Sequence, residues 1–201
     1  GDLLIGEGYR MIAAANLSAE QKVRMLQVAS EGQRALCRGQ GLELCWARHP
    51  GVLTPLQVLE IFRHKTAPAF EVALRLGALY AGVAAHDAVA DTLASYSEAL
   101  GIAYQIRDDL SDLGMAGESD DIRGMRPSLV LAIAQERAGG ENRQIMERVW
   151  NRQWAGPALT VEALCREVKA DERARQLRET YKQEAVRALG ELANPSLKGL
   201  L

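Results

Sequence analysis

The sequence predicts an all-α fold, and three observations carry that expectation. Ala, Leu, Arg and Glu dominate the composition, and these residues favour helix. Apolar residues recur at spacings of three, four and seven along most of the chain, and no stretch alternates with the period of a strand. Two helix starts are written in full: Ser18 with Gln21, and Thr54 with Pro55 and Gln57. Each forms a capping box, the second with proline at the first helical position.

The elements follow in order. Residues 2 to 15 read as a helix with Leu3, Leu4, Tyr9, Ile12 and Ala13 apolar. A long helix runs from Ser18 to about residue 46 and is broken by Pro50 and Gly51. The next begins at Thr54 and passes through Lys65 and Thr66. Pro68 then removes a backbone donor, which predicts a kink or interruption before the helix resumes to about residue 83. A helix from about Asp87 to Leu113 follows, then a glycine- and charge-rich loop over residues 114 to 126. Pro127 opens a further helix that stops at Gly139-Gly140. Residues 141 to 153 form a short helix, and one last helix spans about Thr160 to Leu192. Such apolar helices must bury their faces against one another, so a bundle is expected.

Charge and composition limit the function. With 201 residues, 48% of them hydrophobic, the chain can build a sizeable core. The formal net charge of −2 gives no global field for nucleic acid or an acidic membrane, and no nucleic-acid partner is expected. No run of 18 apolar residues exists, so no transmembrane segment is expected, and no signal peptide is visible. Cys37, Cys45 and Cys165 show neither a disulfide framework nor metal-ligand spacing, which points to a reducing, cytoplasmic setting. The chain begins Gly1-Asp2-Leu3 without methionine and enters an apolar pattern at once. It reads as a fragment or a processed product.

The chemistry concentrates in Leu100 to Leu113. On a helix at ~100° per residue, Gln105, Asp108, Asp109 and Asp112 share a face, opposite an apolar stripe that includes Leu93, Tyr96, Leu100, Ala103, Leu110 and Leu113. Three neighbouring acids repel, and a hard cation would hold them together. Magnesium suits such a set because it takes a few carboxylates and shares its other positions with water and phosphate oxygens. A solvated acidic face is the plainer alternative. Other segments add to the motif. Gly39-Gln-Gly-Leu-Glu-Leu44 places glycines within a helix, where each costs roughly 1 kcal/mol relative to alanine and is tolerated where a helix or ligand comes close. Lys65-Thr66 precedes the proline, and Arg126 puts a planar cation beside a helix start, where it opposes the macrodipole unless it serves an anion.

Taken together, GQGLEL, HKTAPAFEVALRLGAL, LGIAYQIRDDLSDL and DIRGMRPSL resemble the trans-polyprenyl diphosphate synthases, in order and spacing, over roughly residues 1 to 135. The family's Phe-Gln-x-x-Asp-Asp-x-x-Asp signature is present as Tyr104 to Asp112, with tyrosine for phenylalanine. The resemblance implies an isoprenoid synthase-type helical bundle around a central cavity, with residues 1–201 forming the C-terminal portion of a single synthase domain. It also implies a prenyltransferase that condenses an allylic diphosphate with isopentenyl diphosphate, assisted by Mg2+, in a homodimer. By position Asp108, Asp109 and Asp112 would be the metal ligands. Lys65 would contact the allylic diphosphate, and Thr66, Gln40 and Gln105 would face the cation region. Glu43 stands where the family usually has aspartate, Arg126 where it usually has a second lysine, and Asp121 falls in the substrate-binding loop.

Three departures accompany the resemblance. The family's first aspartate-rich motif, which lies just upstream of a segment like Gly1 to Leu4, is absent. The lysine of a Gly-Lys pair shortly before Asp121 falls on Ala116, and arginine replaces the later lysine. This chain alone is therefore expected to be inactive. A non-catalytic partner or regulatory subunit is the alternative reading. A terpene cyclase fits less well, because its second metal motif is usually mixed rather than all aspartate.

Overall fold

The computed structural model describes residues 1–82, 87–113, 126–192 and 198–199. Within them the chain forms eight α-helices and one 3-10 turn: α1 (Asp2–Ala14), α2 (Ala19–Arg48), α3 (Pro55–Tyr80), α4 (Asp87–Leu113), α5 (Leu129–Arg137), α6 (Gly140–Trp150), α7 (Ala158–Glu167), α8 (Ala170–Ala188) and the turn Leu189–Glu191. No strand occurs among the described residues. Both capping boxes are formed: Ser18 and Thr54 each accept the backbone N–H three residues on, and the Gln21 and Gln57 side chains bond back to the cap.

The long helices pack in sequence, α2 on α3, α3 on α4 and α4 on α8. α2 and α3 run antiparallel. Gly39 faces His64, Gly32 faces Val72, and the Gln21 amide reaches the Leu79 carbonyl at 3.2 Å. α5 lies at the centre, and every residue from Leu129 to Gln135 is buried. A helix that is apolar on all sides must be surrounded, and α5 joins Val58, Phe62, Ile102, Ile106, Met146, Trp150 and Val161 in the main core. α8 is mostly polar and turns Ala170, Ala174 and Ala185 inward. Small residues there let it lie close to its neighbours.

Three boundaries differ from expectation. α3 is not interrupted at Pro68, because the flanking helices pack on both sides of it. The proline costs one backbone bond, to the His64 carbonyl, and Gly39 of α2 lies directly against that carbonyl. α5 starts at Leu129 rather than Pro127, because Ser128 is its N-cap and accepts from the Leu131 N–H at 3.2 Å. The expected last helix is two, α7 and α8, separated at Lys169, whose φ of 54° is left-handed. Arg137 spans the break by donating to the Val168 and Lys169 carbonyls at 3.0 and 2.8 Å, and the Lys169 carbonyl also accepts the Arg173 N–H at 3.2 Å as the first bond of α8. The expected loop lies, apart from Arg126, outside the described residues, and Ala116 and Asp121 lie there with it.

Candidate functional site

The site is built around one turn of α3. From one side Gly39 of α2 approaches so closely that a Cβ there would sit 2.5 Å from the His64 carbonyl carbon and 2.7 Å from the Lys65 nitrogen. From the other side Gly101 of α4 approaches Ala67, where a Cβ would lie 2.7 Å from its Cα and its nitrogen. Glycine is required at both contacts, because the atoms met are backbone and cannot rotate away. The Lys65-Thr66 pair sits between them. One helical turn beyond each glycine, a polar side chain of the flanking helix reaches that pair. Glu43 Oε2 lies 2.6 Å from Lys65 Nζ, and the Gln105 amide donates to Thr66 Oγ1 at 2.7 Å.

These residues open onto a cleft of about 100 Å³ lined by Glu43, Ile61, Phe62, Lys65, Gln105, Asp108, Asp109, Asp112, Arg126 and Pro127. Among the described residues the lining sets four carboxylates against two cations, Lys65 and Arg126. Asp108 and Asp112 are partly exposed and lie four residues apart on α4, so both stand on the same edge of the cleft. Asp109 is 5% exposed, and its Oδ2 accepts the buried Val130 N–H at 3.0 Å. It therefore caps α5 together with Ser128, where a negative charge meets the positive end of the helix. Asp108 also carries a neighbour's charge. Arg107 lies 3.2 Å from its Oδ1 and 4.4 Å from the centre of the Tyr104 ring, which in turn meets Phe70 edge-on.

Of the expected site residues, Lys65, Gln105, Glu43, Asp108, Asp109, Asp112 and Arg126 line this one cleft. Thr66 joins it through Gln105. Gln40 does not line it. The 39/43 line of α2 faces α3, and Gln40 is rotated off that line to an exposed flank. Asp121 is outside the described residues. Sequence reasoning missed Gly101 and Arg107. Gly101 carries the same signal as Gly39, a glycine inside a strongly helical apolar pattern. Nothing in the sequence separates Arg107 from the other exposed arginines.

The donor set suits a hard cation, because carboxylate oxygens are what magnesium takes, and it needs only one or two of them beside water and substrate phosphate. No three His, Cys, Asp or Glu side chains among the described residues are drawn together tightly enough to form a cage by themselves.

Comparison with known proteins gives a consistent picture. The polyprenyl synthetase family model matches residues 1–185. The farnesyl diphosphate synthase of Escherichia coli (strain K12) is 34% identical over 119 residues, which is 56% of this chain and 38% of that protein. The geranylfarnesyl diphosphate synthase of Aeropyrum pernix is 29% identical over 160 residues, covering 74% of this chain and 48% of that protein. The crystal structure of a polyprenyl synthase from Caulobacter crescentus CB15, complexed with calcium and isoprenyl diphosphate, superposes with a TM-score of 0.77 at 28% identity. That match covers 88% of this chain and 56% of the other. The chain thus spans less than half the length of these two curated relatives.

Proposed function

Since the chain belongs to the polyprenyl synthetase family, we propose that its cleft binds the diphosphate of an allylic substrate and takes part in prenyl transfer to isopentenyl diphosphate. The observation that carries this reading is the convergence of Lys65, Arg126, Asp108 and Asp112 on one cleft from three separate segments of the chain. A diphosphate is a dense polyanion, and it needs both fixed cations and a metal that neutralises the acids around it.

In this reading Asp108 and Asp112 hold magnesium, with Asp109 behind them keeping α5 and the cleft edge in place. Magnesium, when bound, supplies Lewis-acid neutralisation of the departing diphosphate. Lys65 and Arg126 donate to diphosphate oxygens, Arg126 as a planar fork and Lys65 as a point charge. Gln105 gives its N–H to Thr66, which leaves its carbonyl oxygen to face developing positive charge on the substrate. Phe62 and Ile61 supply the apolar wall that keeps water from the reacting carbon. A non-catalytic partner subunit would have no use for this set of polar groups in one place.

The homodimer is part of the same proposal. Leu4 and Met11 of α1 are exposed and help line an apolar hollow of about 480 Å³ that includes Ile12, Met25, Val72 and Tyr80. We assign this face to a second copy of the chain, and light scattering coupled to gel filtration tests it. None of the helices described is long and apolar enough to cross a membrane.

Titration calorimetry with inorganic pyrophosphate tests the central claim. Binding is expected with magnesium and is expected to weaken strongly without it. Asp108→Ala should remove the difference between the two conditions. Equal binding by the wild-type chain with and without magnesium would refute the metal-bridged site.

A further inference from the structure

We infer that Glu43 is a positioning residue that holds Lys65 in a closed ion pair, so that a diphosphate enters the cleft by drawing Lys65 away from Glu43. The inference rests on the diphosphate reading above and adds a control on its affinity.

The close approach of α2 to α3 makes the pair. Gly39 sets the helix backbones against each other at His64 and Lys65, and Glu43 lies one turn later on the same side of α2. Its carboxylate thus arrives at the Lys65 ammonium, with Oε2 2.6 Å from Nζ. Glu43 is 8% exposed, and the Lys65 side chain is 27% exposed. The pair therefore sits at the inner wall of the cleft, where water screens it less than it would at the surface. Its alignment is incomplete, because Glu43 Oε2 is buried yet makes no hydrogen bond of good geometry. An ion pair that is close but poorly aligned holds its lysine by charge and leaves that lysine able to turn toward a better acceptor.

The consequence concerns the anion. Of the two cations that line the cleft among the described residues, Lys65 is the more enclosed. While it is paired, its charge is offset by Glu43, and among the described residues the lining carries more carboxylates than cations. A diphosphate must then supply a stronger partner for Lys65 than Glu43 does, with a metal offsetting the carboxylate left behind. Removing the negative charge of Glu43 should release Lys65 and weaken the need for metal.

Titration calorimetry of pyrophosphate, with and without magnesium, on the wild-type chain and on Glu43→Gln, Glu43→Asp and the double variant Glu43→Gln/Lys65→Met tests this. Glu43→Gln should tighten metal-free binding by about tenfold, and raised salt should erode the gain. The double variant should lose the gain, which a merely structural effect of position 43 would not require. Glu43→Asp keeps the charge but shortens the reach, and should give a smaller gain. If Glu43→Gln does not fold, Glu43→Asp carries the test, and binding no tighter than wild type would overturn the inference. Metal-free binding by Glu43→Gln that is unchanged from or weaker than wild type would overturn it as well. Absence of binding by every variant in both conditions would instead overturn the diphosphate reading itself.

Discussion

Two glycines of α2, two residues apart, should respond to alanine with opposite sign. At Gly39 the added methyl would lie 2.5 Å from the His64 carbonyl carbon and 2.6 Å from its oxygen. Ordinary carbon contacts are about 3.5–4.0 Å, so α2 must retreat from α3 by about 1 Å. Overpacking of this kind costs about 1–3 kcal/mol where side chains can move. The obstacle here is backbone, so the upper end applies. Alanine recovers about 1 kcal/mol of helix propensity, which leaves a net loss of about 2 kcal/mol, or a fall in Tm of roughly 4–8 °C for a chain of this size. At Gly41 nothing lies within 4 Å of the added methyl, so Gly41→Ala should be stabilising by up to about 1 kcal/mol. Urea unfolding followed by circular dichroism measures both. The retreat at Gly39 also stretches the Lys65–Glu43 contact, so Gly39→Ala should change pyrophosphate affinity while Gly41→Ala should not. A Gly39→Ala variant as stable as wild type would refute the close-approach argument, and matching losses at both positions would show that propensity and packing had been misassigned.

Asp109 and Asp108 should separate stability from ligand binding. Asp109→Ala leaves the buried Val130 N–H without its charged acceptor and should cost about 1–3 kcal/mol in urea unfolding, whereas Asp108→Ala, at a partly exposed position, should change stability by under about 0.5 kcal/mol. The reverse ranking would mean that Asp109 does not cap α5. Cys165 gives a pH signature. Burial first, and then the carboxylates of Asp109, Asp171 and Glu162, push its thiol from the ordinary 9.0 up to about 12. The folded state therefore keeps a proton that the unfolded chain loses, so this contribution to stability is level below pH 9 and falls as pH rises from 9 toward 12. A thiol reagent at pH 8 should label the exposed Cys37 and Cys45 in the native chain and Cys165 only after denaturation; native labelling of Cys165 would contradict its burial.

Local signals in the sequence carry their elements well where the chemistry is local. Ser18 with Gln21 and Thr54 with Gln57 state the starts of α2 and α3, because a capping box involves only residues three apart. The acidic motif of α4 was legible for a similar reason, since the 3.6-residue period puts its acids on a common side. Where tertiary contacts decide, local reading falls short. Pro68 signals a break, but helices packed on both sides of α3 carry it through. The division of α7 from α8 is bridged by Arg137, more than thirty residues earlier, which reaches the Val168 and Lys169 carbonyls. Ile102 and Ile106 were absent from the expected apolar stripe, yet both are fully buried, because α5 lies against that side of α4 as well. Asp109 looked equivalent to Asp108 and Asp112. Only the position of Val130 makes it a cap.

The same clamp explains why these side chains form one site. Lys65 and Thr66 occupy adjacent positions on α3, so their side chains diverge by about 100° and no single neighbouring helix could serve both. Gly39 and Gly101 bring a helix to each side of that turn, and the polar residue one helical turn further on each is matched to what it meets: an acid for the ammonium, an amide for the hydroxyl. Backbone close approach therefore comes first, and the polar pairs follow from it. The acids of α4 then fall within reach because Asp108 and Asp112 lie two and three turns beyond Gly101 on the same helix. Replacing an outer charge such as Arg126 should therefore disturb the arrangement of this site less than adding a methyl group at Gly39 or Gly101.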